Sequence, residues 1–135
     1  MDAEKYLEVL RRLIAQAHEY HTKYSNVHFY EPSFFAVLVF IKSADADSKS
    51  LAEQEFVKML EESDLKDQEL IGYCMRELKF ESVRKTVLAM LHLEGNSPRT
   101  LSRRRMMATF LGAYEETWEY DGTYSFYERK RRTRA

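Results

Sequence analysis

Four glycines and two prolines in 135 residues leave this chain few places to turn sharply. Glycine supplies the left-handed geometries of tight turns, and proline fixes the backbone at their first corner. A chain poor in both favours long helices over many short strands. The hydrophobic spacing agrees. Residues 3–25 set Tyr6, Val9, Leu10, Leu13, Ile14, Ala17 and Tyr24 at steps of three, four and seven, which is one helical face. Asp2 stands where an N-cap belongs.

Residues 26–32 read as an aromatic connector, with Pro32 in the first turn of whatever follows. The eight apolar residues 34–41 are too uniform for periodicity to separate strand from helix. A lone strand would leave its backbone groups unpaired and no convincing second strand exists, so the run is read as a central buried helix. Residues 43–50 form a small-residue link, and a third helix from about 50 to 62 turns Leu51, Phe56, Met59 and Leu60 inward. After a break at 63–67, Asp67 is placed to cap a fourth helix bearing Leu70, Ile71, Cys74, Met75 and Leu78. A corner at 80–81 restarts the pattern on a fifth helix, with Val83, Val87, Leu88, Met90 and Leu91.

The clearest boundary is 94–98, where Gly95 can end one helix, Ser97 cap the next and Pro98 open it. The sixth helix carries Leu101, Met106, Met107, Phe110, Leu111, Tyr114 and Trp118 and should end near 120–122, after which 123–127 could fold back as a docked strip. The expected fold is all-α: a single domain over residues 1–128, about six helices in an irregular bundle or a short α-solenoid of helical hairpins, then a basic tail at 129–135.

The chain excludes several classes. One cysteine cannot staple it, no apolar run approaches the roughly 20 residues of a membrane span, and the acidic N-terminus is unlike a signal peptide. A cytoplasmic protein that keeps clear of membranes is expected. Cys74 shares its helical face with Leu70, Ile71 and Leu78, so a packed structural thiol outweighs a catalytic one. His18 and His21 lie three apart and could share a metal, but the third ligand a zinc site needs is not specified. Phosphate loops, nucleophile elbows, paired-cysteine motifs and Glu-x-x-His pairs do not occur. The reading is a non-enzyme without cofactor.

What remains is binding. Nine tyrosines, eight phenylalanines and a tryptophan exceed the bulk one small core requires, and such rings serve well in protein interfaces. They gather in two stretches: Tyr20, Tyr24, Phe29 and Tyr30, then Tyr114, Trp118, Tyr120 and Tyr124. The second overlaps an acidic patch, so Tyr114, Glu115, Glu116, Trp118, Glu119 and Tyr120 are the candidate partner face.

Charge is segregated. The last seven residues hold five of the 21 cations and none of the 22 acids, so residues 1–128 carry −6 and the tail +5. An acidic body suits an adaptor, a regulatory subunit or an immunity-type neutraliser of a cationic partner, and self-association is also compatible. The alternative is nucleic acid, with Arg99, Arg103, Arg104 and Arg105, and Arg129, Lys130, Arg131, Arg132 and Arg134, on phosphates. Arg103 to Arg105 are consecutive, so they fan around a helix rather than line a stripe.

Overall fold

The computed structural model describes residues 1–62, 67–93, 98–115 and 124, and of 93 and 98–102 the backbone alone. Among them the chain is all-helical: α1 (Ala3–Lys23), α2 (Val27–Lys42), α3 (Ala46–Glu62), α4 (Gln68–Leu78), α5 (Glu81–Leu93), α6 (Pro98–Leu111) and a 3-10 turn at Gly112–Glu115. Its contacts gather in two compact units, Met1–Ala52 with Tyr120–Ala135, and Glu53–Glu119.

In the first unit, Asp2 caps α1 as its spacing predicts, its carboxylate accepting from the Lys5 amide at 2.8 Å. Tyr6, Leu10, Ile14 and Ala17 form the buried stripe. The helix stops when Tyr24 turns extended, and Asn26 starts α2 by accepting from the His28 amide at 2.9 Å. The expected connector at 26–32 is therefore mostly helix, and Pro32 lies inside α2 rather than in its first turn. The reason is the competing cap: Asn26 satisfies the free first-turn amides six residues ahead of Pro32. The proline then forgoes a bond to the His28 carbonyl, a defect that costs about 3 kcal/mol in a helix interior. Burial of Tyr30, Phe34, Val37, Leu38 and Ile41 on the same helix outweighs it.

The apolar run is helix, as read. Tyr6 at the start of α1 stacks on Phe40 near the end of α2 at 4.8 Å, while His21 meets Tyr30 at 4.6 Å at the opposite ends. The two helices thus form an antiparallel hairpin closed by three residues. Helix α3 begins four residues before the expected start, because Asp45 in the supposed link accepts the Ser48 amide at 2.8 Å. That bond, strengthened by the Ser48 hydroxyl, holds the Asp45 carboxyl below its ordinary range. Tyr124 is fully buried in this unit against Tyr30 and Phe34, with ring centroids 6.4 and 6.1 Å away, so the strand of chain expected to dock does so at this residue.

The second unit is built around α4, whose six consecutive residues from Leu70 to Met75 are all buried. A helix covered on every side needs no amphipathic stripe, so Gly72 and Tyr73 lie inside although periodicity marks only one face. Asp67 precedes α4 but makes no side-chain cap, since its backbone is turned away from the extended geometry capping requires; its carbonyl accepts from Ile71 instead. The corner expected at 80–81 forms one residue earlier, at Lys79 and Phe80. Lys79 takes a left-handed conformation, φ 50°, which costs a residue with a Cβ on the order of 1 kcal/mol. Two long-range bonds fix it: Tyr114 donates its hydroxyl to the Phe80 carbonyl at 2.7 Å, and Lys79 Nζ donates to the Tyr114 carbonyl at 3.1 Å.

Glu53 of α3 caps α5 from outside, accepting from the amide and hydroxyl of Ser82. On α5, Val83 and Val87 are buried, but Leu88, expected to face inward, is exposed. Helix α6 ends at Leu111, short of the expected 120–122: Gly112 is a weak helix former, and the chain tightens into a 3-10 turn that presents Tyr114 to Phe80. The caps expected at 94–97 and the tail at 129–135 lie outside the described residues.

Two outcomes test these packings. Tyr114→Phe removes the bond to the Phe80 carbonyl and should cost about 1–2 kcal/mol in urea unfolding. The Tyr6 hydroxyl has no hydrogen-bond partner among the described residues, and burial, aided by the Asp45 charge, pushes its pKa up to about 12. The unfolded chain ionises this group near pH 10, whereas the folded chain keeps the proton. Its contribution is therefore full below pH 10 and is lost progressively as pH rises toward about 12. Tyr6→Phe should unfold at least as hard as the natural chain at pH 7 and lose less stability between pH 9 and 11.

Candidate functional site

The link between α1 and α2 brings aromatic side chains from both helices to one corner. Tyr20 and Tyr24 meet edge to face at 5.9 Å, and Tyr24 meets Phe29 at 5.4 Å. Lys23 Nζ sits 5.4 Å above the Tyr24 ring, a cation on the negative face of a π-system. Inward of these, His21 packs on Tyr30 and, edge to face at 5.3 Å, on Phe34. The local sequence explains the arrangement. Ending α1 at Lys23 and starting α2 at Val27 leaves too few residues to bury Tyr24 and Phe29 on opposite sides, so both crown the corner.

Exposure then separates the rings. Tyr30 is buried, Tyr20 and Tyr24 are half-buried, and Phe29 is 61% exposed, an apolar ring in water supported from one side. The imidazole of His21 packs against the rings of Tyr30 and Phe34. The corner offers stacking rings and apolar area for contact.

The expected partner face is only partly within view. Tyr114 is half-buried and its hydroxyl engages Phe80; burial, reinforced by the charges of Glu81 and Glu53, raises its pKa. Glu115 is exposed at the end of the 3-10 turn, while Glu116, Trp118, Glu119 and Tyr120 lie outside the described residues. Tyr114 packs on Phe110 at 6.2 Å within the second unit, and Tyr124 on Tyr30 at 6.4 Å within the first.

The basic cluster divides as well. Arg104 donates to the Leu91 carbonyl at 2.9 Å and so closes the C-terminus of α5 from α6. Arg103 is half-buried and Arg105 exposed; the Arg99 side chain and Arg129, Lys130, Arg131, Arg132 and Arg134 lie outside the described residues. Among the described residues, no three His, Cys, Asp or Glu side chains gather where a metal could sit, and His18 and His21 have no third acidic or thiol neighbour for that purpose. Glu31, the buried carboxylate of α2, is 1% exposed. No described helix is long and apolar enough to cross a membrane.

Sequence reasoning placed Phe29 in an aromatic stretch but did not single it out. The available signal was a phenylalanine at the N-terminus of a helix beside Asn26, where an apolar ring precedes the buried stripe. Cys74 is fully buried, and desolvation pushes its thiol well above the ordinary cysteine range. Ellman's reagent at pH 8 should therefore leave it unmodified in the native protein and titrate one thiol in denaturant. A scan against protein-family models found no match, and searches of curated proteins and of solved structures returned none.

Proposed function

We propose that this chain is a non-enzymatic helical protein that binds another protein, and that the α1–α2 corner contributes to the contact. The observation that carries the reading is Phe29, 61% exposed and backed by Tyr24 and Tyr20. An aromatic side chain has few rotatable bonds to immobilise and much area to bury, which is why such anchors dominate interface energetics. Lys23 over Tyr24 and the half-buried tyrosines supply a polar rim. The acidic balance of residues 1–128 favours a partner with a cationic surface, as a regulatory subunit or neutraliser would have. A single, buried thiol suits the reducing cytoplasm.

Nucleic-acid binding draws less support from the described residues, since Arg104 is already committed to Leu91. It would rest on Arg105, Arg99 and the tail.

Photo-crosslinking in cells tests the protein-binding reading. A benzoylphenylalanine at position 29 should give a discrete heteromeric adduct that the same group at the exposed Arg12 does not. Phe29→Ala should weaken capture of that partner at least about tenfold, while stability shifts by less than about 1 kcal/mol. Equal adducts from positions 29 and 12 would overturn the assignment of this corner. An adduct with a second copy of the chain would mean self-association instead.

A further inference from the structure

Glu31 of α2 is 1% exposed and lies between the buried Tyr30 and Ser33. A carboxylate this far from water calls for a positive partner with good hydrogen-bond geometry. Its own helix offers little toward that. Glu31 stands beyond the free amides of the first turn, and Pro32 has no amide to give. The Ser33 hydroxyl donates to the Tyr30 carbonyl at 2.6 Å. Elsewhere in the unit, Lys5 and Arg12 meet Glu8 at 3.9 and 2.9 Å, and Lys23 lies above the Tyr24 ring.

The chain itself delivers cations to this place. Tyr124 is fully buried on Tyr30 and Phe34, the two rings that bracket Glu31 along α2, and the unit takes in Tyr120–Ala135. Arg129 follows Tyr124 by five residues, which an extended backbone spans in about 17 Å. Residues 129–134, four arginines and a lysine with no acid among them, are thus tethered within reach of the Glu31 carboxylate. A guanidinium suits a buried carboxylate better than an ammonium does. It makes two parallel hydrogen bonds and is more weakly hydrated.

We propose that Glu31 receives an arginine from residues 129–134, so that the C-terminus is a latch on the α1–α2 hairpin with two points of attachment. One is the Tyr124 ring on the aromatic seam, and the other is the guanidinium on the Glu31 carboxylate. Closed, the latch covers the seam and holds positive charge against the protein's own acid. Opening it uncovers an apolar seam and frees a +5 segment together, so the tail reaches anionic partners only when the hairpin is exposed. The latch does not involve Phe29, and neither assignment depends on the other.

Four full-length chains test it: the natural one, Glu31→Gln, the chain with Arg129, Lys130, Arg131, Arg132 and Arg134 all replaced by Gln, and the combination. Removing one side of a buried ion pair strands the other, whereas removing both does not. Each separate change should lower the melting temperature by several degrees, and the combination by no more than the larger of the two. Trypsin reads the latch directly. In the natural chain it should cut within 129–134 at least about tenfold more slowly than in a free peptide of residues 124–135. Glu31→Gln should remove most of that protection. Additive melting shifts overturn the proposal, and so does a tail cut as fast in the natural chain as in the peptide. The peptide comparison uses the natural chain alone, so it stands even if a variant folds poorly.

Discussion

Every helix end frees amides or carbonyls that the helix itself cannot satisfy, and among the described residues side chains meet that demand at the starts of α1, α2, α3 and α5. In the first unit the solutions are local: Asp2, Asn26 and Asp45 each reach two or three residues ahead. In the second they are borrowed across the sequence. Ser82 is capped by Glu53, Leu91 by Arg104, and the Phe80 carbonyl by Tyr114. The starts of α1, α2 and α3 are therefore encoded next to the helices they open. The ends of α5 exist only once distant segments have arrived, and its stability is tied to the packing of the whole unit.

This division explains which parts were readable in advance. The buried stripe of α1, its Asp2 cap, the helical state of 34–41 and the corner between α4 and α5 follow from spacing and local chemistry, and each is present. The beginnings of α2 and α3 were misplaced because two local signals conflicted: Pro32 argued for a late start and Asn26 imposed an early one, while Asp45 looked like part of a link. Gly72 and Tyr73 were missed because periodicity describes a helix with one wet side, and α4 has none. The early end of α6 depends on a bond spanning 34 residues, which no window on the sequence contains.

For the candidate site, composition pointed to aromatic binding but could not sort the rings. Tyr20, Tyr24, Phe29 and Tyr30 are alike on paper; in the fold one is core, two are half-covered and one stands in water. Sequence adjacency misled at Tyr114 and Tyr124, which serve different units and different purposes. Arg104 makes the same point for charge: a residue chosen as a phosphate contact turns out to finish a helix. What decides the role of such a side chain is how many neighbours the fold leaves it, a quantity that chemistry alone does not fix.

The placement of Tyr124 against Tyr30 and Phe34 makes the first unit discontinuous in the chain. A ribosome finishes α1 and α2 early, yet the ring that covers their aromatic seam follows only after α3 to α6. Translation at about 5–20 residues per second leaves that seam uncovered for about 4–16 s. During this interval the nascent hairpin presents to the cell a sticky surface that the mature protein hides. Its yield in vivo thus depends on how fast it is translated and on what shields the half-made hairpin, as well as on the stability of the finished fold.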